Sequence, residues 1–208
     1  MRPFRIALLA AVAASPALAD DCTKDVVAAF EKQRTSKAFR VEFSQPSAEG
    51  DVHMTIDYMP PDRMLQTVTS PAFPGEQQTM LVGNRAFAGT SGSFEELLPQ
   101  FTQSIVAEVQ QAVGAPPKDL GRFECLGSVR FDDRDLVGYR IGNAVPEAGD
   151  PSKVLARTVY VDPGTGLPAY NVVAALSGAG EPVLKVKYSY PADIEIVAPV
   201  NAPVQKVH

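Results

Sequence analysis

The sequence has little of the material from which active sites are built. It contains no Trp, two Cys and two His among 208 residues. So few histidines and cysteines leave little for a metal site or a nucleophilic centre, and composition therefore favours binding over catalysis. A formal net charge of −5 argues against a nucleic-acid-binding protein. The hydrophobic fraction of 45% excludes a disordered chain, and the length fits a single domain.

The first nineteen residues have the pattern of a cleavable export signal. Arg2 and Arg5 precede a nine-residue apolar run, which ends before a small-residue motif at 17–19. The run is too short to cross a membrane as a helix, and a buried core helix is the alternative interpretation. We expect cleavage after Ala19, which leaves a soluble chain that is exported to the periplasm.

Export determines how the two cysteines are interpreted. In an oxidising compartment Cys22 and Cys125 are the only pair available to form a disulfide bond. Two free buried thiols are the alternative, and a redox-active pair is disfavoured because the sequence has no Cys-x-x-Cys motif. The sequence therefore predicts a Cys22–Cys125 disulfide.

The mature chain alternates between two short helical segments and many strands. Helical spacing predicts helices over 23–36 and 99–113, the second with Pro99 in its first turn. Ser93 and Glu96 match a capping box just before it. Period-two alternation and turn residues predict antiparallel strands, which lie at 39–44, 52–58, 64–69, 79–82, 85–89, 122–131, 135–142, 154–161, 167–175 and 182–190.

Three features of the sequence contain residue types that chemical sites use. The segment 89–93 is rich in Gly and Ser but lacks the Lys of a phosphate-binding loop, so a helix-capping loop is favoured. His53 and Asp57 share one strand face, which the polar outer side of a sheet explains. The acidic turn 132–135 lacks the later Glu of a calcium loop. We expect no enzyme activity, metal site or cofactor; an envelope hydrolase using Ser91 or His53 is the remaining enzymatic alternative.

A large antiparallel sheet must bury its apolar face. Wrapping it around the two helices gives a mainly β (α+β) fold, an incomplete antiparallel barrel of about 8–11 strands with helices in or lidding the concave face. Such a half-barrel can leave an apolar cavity. Four methionines on or beside the first strands fit a cavity wall, but they fit an ordinary core equally well.

Several motifs resemble those of LolA-type lipoprotein carriers. Residues 39–45 are similar to the family's Phe-x-x-x-Phe-[Ser/Thr]-Gln strand, and 50–63 to its next hairpin. Residues 82–87 and 160–168 are similar to its short hairpin and its late Asp-x-x-Thr-Gly-x-Pro hairpin. The related group includes LppX-type lipoproteins and RseB-type sensors. Met59 stands before Pro60 where the carriers have an Arg.

The resemblance implies an incomplete barrel that holds lipid or lipoprotein acyl chains between membranes. We expect one domain over 20–198, a flexible tail over 199–208, a monomer, and membrane-bound proteins as donor or acceptor. The helix 99–113 would be a lid with hinges at Gly92 and Gly114. An RseB-like sensor is the alternative function. The residues expected to line the cavity are Met54, Ile56, Tyr58, Met64, Phe87, Leu98, Phe101 and Ile105.

Overall fold

A computed structural model describes residues 22–114, 120–141, 154–178 and 180–206. The expected export signal at 1–19 lies outside these described residues. Within them eleven strands form one antiparallel sheet. The strands are β1 (Phe39–Ser47), β2 (Gly50–Met59), β3 (Arg63–Ser70), β4 (Phe73–Val82), β5 (Arg85–Thr90), β6 (Ser93–Glu96), β7 (Phe123–Phe131), β8 (Arg134–Ile141), β9 (Leu155–Val161), β10 (Pro168–Ala175) and β11 (Leu184–Ser189).

The sheet is built from two meanders that meet in its middle. Its strand order is β6-β5-β4-β3-β2-β1-β11-β10-β9-β8-β7. The first and last strands therefore pair, with Val41 opposite Tyr188. In the described part of the chain β6 and β7 do not pair with each other, so the sheet stays open. The expected fold class, an incomplete antiparallel barrel with two helices, is confirmed.

Two helices cover the same face of the sheet. Helix α1 is Thr23–Arg34; α2 is Pro99–Val109, continued by a π-helical turn, Gln110–Gly114. Val41 packs in the cluster beneath α2, and its cross-strand partner Tyr188 meets the ring of Phe30 on α1. Directly opposed residues share one side of a sheet. We call the side that both helices cover the inner face.

Strand β6 differs from the helix cap that the sequence predicts at 93–96. Arg85 on β5 holds the Glu96 carboxylate through two hydrogen bonds of 2.9 and 2.6 Å. Phe94 packs on the outer face in a cluster with Phe87. These contacts with residues distant in the sequence outweigh the local capping pattern. The main helix begins at Pro99 as expected, because Pro at the first turn sacrifices no hydrogen bond.

The C-terminal segment covers part of the outer face. Ile194 and Ile196 are buried there beside Phe87. Farther on, the Glu96 amide donates to the Pro203 carbonyl at 2.8 Å, and the Gln205 amide donates to Glu96 at 2.9 Å. The chain is therefore tied to the free edge of β6 as far as residue 205, which differs from the loose tail expected from 199. Residues 207 and 208 lie outside the described part.

The expected disulfide between Cys22 and Cys125 is present, with their Cα atoms 5.5 Å apart. It joins the start of α1 to β7, an edge strand of the sheet. Two hydrogen bonds support the junction: the Cys22 amide donates to the Phe123 carbonyl at 2.9 Å, and the Phe123 amide donates to Thr23 Oγ1 at 3.0 Å. The bond thereby attaches the N-terminal helix to a strand that lies 103 residues later in the sequence.

Candidate functional site

The inner face beneath α2 is an apolar surface that we call the floor. It consists of Phe39, Ile56, Tyr58, Met64 and Leu81, all buried in one cluster. These residues come from β1 to β4 and share a face. Tyr58 lies opposite Phe39 and Met64, Met64 lies opposite Leu81, and Ile56 is two residues before Tyr58 on β2. Period-two alternation in these strands therefore produces a continuous apolar surface for the helix.

Helix α2 contacts the floor through one side. Val109 and Val113 are buried in the same cluster, and Ile105 and Val106 pack against it. The side-chain hydrogen bonds that α2 makes within the described residues stay inside its own segment, as from Thr102 to the Leu98 carbonyl. The helix is thus held on the floor by apolar packing.

The structure brings together five of the eight residues expected to line a cavity. Ile56, Tyr58 and Met64 belong to the floor, while Met54 and Ile105 pack at its border. The first three are covered by α2, so they face the helix rather than open space.

The other three expected residues lie elsewhere. Phe87 is fully buried on the outer face with Ile194 and Ile196, because its neighbour Ala86 is the β5 residue that faces α2. Leu98 is half-buried just before α2, and Phe101 in its first turn is 51% exposed. Of the two expected hinges, Gly114 ends the π-helical turn, but β6 separates Gly92 from α2.

An apolar band on the inner face continues beyond the floor, towards α1. We call it the inner strip: Phe43, Met54, Val68, Val173 and Leu184. Phe43 opposes Met54, which in turn opposes Val68, and Val173 opposes Leu184 on the other side of the β1–β11 junction. All five side chains are only partly buried. The strip crosses the middle of the sheet and still has surface available to a ligand.

A hollow of about 490 Å³ adjoins the inner strip at Val68. Its inner-face wall comes from β4 and β5, where Thr79 opposes Ala88 and Gln77 opposes Thr90. These side chains are small or polar. The hollow therefore extends the strip towards the β6 edge of the sheet.

One cation lies at the α1 side of the inner strip. Arg157 on β9 opposes Val173 directly, and its Nε donates to Asn171 Oδ1 at 2.9 Å. Its guanidinium carbon lies 5.9 Å from the centre of the Phe123 ring. Burial lowers the pKa of Arg157 from its usual value, because a low-dielectric environment disfavours the charged form.

Asn171 and Arg157 both lie close to Tyr188. Burial raises the pKa of Tyr188, and the nearby Asn171 and Arg157 side chains partly offset that rise. The Tyr188 ring meets Phe30 of α1 edge-on at a centroid distance of 6.2 Å. Sequence reasoning did not select any of these residues, because each is an ordinary strand residue until the register places them side by side.

The outer face carries the groups that could have formed an enzyme site. Asp57 pairs with Arg40 at 2.7 and 2.9 Å rather than with His53. His53 Nδ1 instead lies 2.7 Å from Ser44 Oγ, and both side chains are exposed on the open sheet surface. In the part of the chain that the structure describes, no third side chain hydrogen-bonds to His53 to orient it, as a hydrolase triad requires. The Ser44–His53 hydrogen bond follows from the positions of the two residues, which lie directly opposite each other on β1 and β2.

The Gly- and Ser-rich segment 89–93 forms the turn between β5 and β6. A side chain at Gly89 would collide with the Ser93 carbonyl oxygen, and Ser91 Oγ accepts a hydrogen bond from the Glu76 amide. These contacts give the segment a structural role. Across the described ranges no group of three or more His, Cys, Asp or Glu side chains could hold a metal ion, and no helix is long and apolar enough to cross a membrane.

Solved structures with similar folds are known at low identity. LprF from Mycobacterium bovis is 13% identical, with 86% of this chain and 95% of that chain covered and a TM-score of 0.47. MucB in the Pseudomonas aeruginosa MucA/MucB complex is 14% identical, with 88% and 63% covered and a TM-score of 0.44. A LolA superfamily protein from Nitrosomonas europaea is 14% identical, with 83% and 93% covered and a TM-score of 0.31.

No protein-family model and no curated protein matches the sequence. The chain spans less than two thirds of the MucB chain. At these identities and TM-scores none of the similar structures assigns an activity to this chain.

Proposed function

We propose that this protein is a periplasmic carrier that binds lipid or lipoprotein acyl chains on its inner face without covalent chemistry. The observation that carries the proposal is the inner strip, an apolar band that remains partly exposed beside the floor. Apolar side chains that stay partly exposed in one contiguous band are typical of a ligand-binding surface. The export signal expected at 1–19 and the LolA-like motifs support the same function.

The energy of such binding comes from burial of the acyl chain. Each buried CH₂ contributes about 0.8 kcal/mol, so a long chain on the strip gains enough to bind without specific polar contacts. Part of this gain is lost to ordering the chain. The Met54 side chain at the centre of the strip can adapt to different chains, because its thioether is flexible.

Helix α2 is the element that would move to admit more of the ligand. Its contact with the floor is apolar, so an acyl chain can replace it without leaving a buried polar group unpaired. The floor itself would stay in place, since it consists of paired strands. Opening α2 would extend the binding surface from the inner strip onto Met64 and Tyr58.

The proposed ligand is any lipid or lipoprotein with a long acyl chain. The carriers that the sequence resembles have an Arg before the first hairpin Pro, whereas this chain has Met59 there. We therefore do not propose that this chain uses the donor and acceptor proteins of the lipoprotein carriers. The proposed ligand is defined only by its apolar chain.

A fluorescent acyl probe tests the proposal on the mature chain, 20–208. We expect saturable binding that Val68→Glu abolishes, because the added carboxylate would lie on the inner strip. Thr67→Glu is the matched control: its neighbouring position faces the outer side, opposite Thr55, so binding should persist. Absence of probe binding to the wild-type chain, or equal binding to both variants, would contradict the proposal.

A sensor module of the RseB kind is the second candidate. The observation that favours it is a groove of about 440 Å³ between α2 and the β5–β6 edge, lined in part by Leu97, Pro99 and Val106. Phe101 of the same helix is 51% exposed. A stable complex with an envelope protein, in a preparation that binds no acyl probe, would favour the sensor over the carrier.

A further inference from the structure

Arg157 differs from four other arginines of the sheet, which form close ion pairs. Each of those faces a carboxylate on a neighbouring strand or turn at 2.6–2.7 Å. Within the described residues Arg157 has no such carboxylate partner. The paired arginines are Arg40 with Asp57, Arg85 with Glu96, Arg134 with Asp162 and Arg140 with Glu124.

The contacts of Arg157 use only part of its hydrogen-bonding capacity. A guanidinium has five N–H donors, and the one on Nε is taken by Asn171. Within the described ranges neither Nη atom has a hydrogen-bond partner in the protein. The Nε–Asn171 contact restrains the plane of the group, and the guanidinium carbon lies over the Phe123 ring, 5.9 Å from its centre. As far as the described residues go, Arg157 is thus an oriented cation whose two Nη atoms have no hydrogen-bond partner.

The position of this cation gives it a function. Arg157 stands directly opposite Val173, an inner-strip residue, so an acyl chain lying on the strip would bring its head group beside the guanidinium. A partly buried cation without a counter-ion is costly, and an anion supplied by a ligand would remove that cost. The planar fork matches the geometry of a carboxylate or a phosphate.

We propose that Arg157 binds the anionic head group of the acyl ligand, a carboxylate or a phosphate, at the α1 end of the inner strip. This inference rests on the proposed function. It adds a preference for anionic over neutral lipids, which acyl-chain burial alone would not produce. Asn171 acts as a positioning residue that orients the guanidinium.

Competition with a fluorescent acyl probe measures this preference on the mature chain. The ligands are palmitate, its neutral counterpart hexadecanol, and lysophosphatidate. We expect Arg157→Gln to weaken binding of the anionic lipids by about ten- to a hundredfold, the range for hydrogen bonds to a charged group, and to leave hexadecanol unchanged. Arg130→Gln is the charge-matched control, since that side chain is 65% exposed beside the β7–β8 turn; it should change none of the three affinities.

The two anionic ligands distinguish the chemical source. If Arg157→Gln loses affinity for palmitate alone, the natural head group is a carboxylate. If it loses affinity for lysophosphatidate alone, the head group is a phosphate. Arg157→Lys keeps the charge and should retain a preference for the anionic lipid over hexadecanol, which provides a test if the Gln variant does not fold. Equal affinities for charged and neutral lipids in wild type, or an unchanged preference in Arg157→Gln, would overturn the assignment while leaving the carrier function intact. Failure of all three lipids to bind the wild-type chain would instead refute the carrier function.

Discussion

The rings of Phe39 and Tyr58 stack across β1 and β2 with their centroids 5.0 Å apart. The ring centroids of Phe39 and Tyr190 are 6.5 Å apart. The Tyr190 hydroxyl donates a hydrogen bond to the Pro168 carbonyl at 2.8 Å and accepts one from Gln33 of α1 at 3.1 Å. The aromatic cluster therefore ties the floor under α2 to α1 and to the middle of the sheet. Because the floor is fixed in this way, movement of α2 is the natural way to open the inner face.

A single introduced Trp can report movement of α2, since the sequence contains no Trp. Phe101→Trp places the reporter on the helix at a half-exposed position. We expect saturating palmitate to change its fluorescence emission, because displacement of α2 changes the solvent around its first turn. Phe131→Trp, in the outer cluster with Tyr160, is the control and should not respond. An unresponsive Phe101→Trp in a chain that binds palmitate would show that α2 does not move on binding.

Removal of the disulfide should destabilise the protein strongly. Cys22 and Cys125 are 103 residues apart in the sequence, and closing a loop of about that size stabilises a fold by at most about 4–5 kcal/mol in the chain-entropy model. Urea unfolding of the Cys22→Ser, Cys125→Ser double variant should show a lower midpoint than the oxidised wild type. Reduced wild type should resemble the variant. Identical midpoints for all three would contradict the role assigned to the bond.

The C-terminal segment should contribute to stability through the outer face. Ile196 is 1% exposed, and its truncation in Ile196→Ala should cost about 2–5 kcal/mol, as for other buried large-to-small changes. Val200 in the same segment is 87% exposed, so Val200→Ala should change the free energy of unfolding by less than about 0.5 kcal/mol. Chemical denaturation measures both. Equal effects of the two substitutions would mean that the segment does not pack as described.

Asp132 should make the stability of the protein depend on pH in the acid range. Lys185 donates to its carboxylate at 2.8 Å and the Tyr170 hydroxyl at 2.7 Å, and these hydrogen bonds lower the pKa of Asp132 below its usual 3.8. A lowered folded-state pKa stabilises the protein above the unfolded pKa, and this contribution is lost as the pH falls through the folded value.

The variant Asp132→Asn measures this contribution, since Asn tolerates the positive φ of 52° at this turn position. Its Tm should be lower than that of wild type at pH 7, and the difference should shrink once the pH falls below about 4. A difference in Tm that stays constant down to pH 2 would rule out the carboxylate as its cause.

Local patterns predicted most of the strands because their alternation is strong. Phe39, Val41 and Phe43 show period two, and all three face inward on β1 as the pattern requires. The same alternation cannot tell which side the helices cover, which is why Phe87 was expected in the cavity but lies on the outer face. One residue of offset decides between the two sides of a strand.

The features missed by sequence reasoning depend on distant contacts. The four residues of β6 are too few to show a period, and that strand is held by Arg85 and by the C-terminal segment. Arg157 looks like one polar residue of an alternating strand. Only the register beside Val173, together with the lack of a carboxylate partner among the described residues, distinguishes it from the ion-paired arginines.

The proposed carrier function requires the inner face to hold an acyl chain, and native mass spectrometry of the purified chain from residue 20 can detect that acyl chain. The protein should be measured as isolated from the envelope and again after solvent extraction, with the extract analysed for lipids. We predict an added mass that disappears on extraction and returns when an acyl lipid is supplied. A protein that carries no lipid as isolated, and takes up none after extraction, would refute the carrier function.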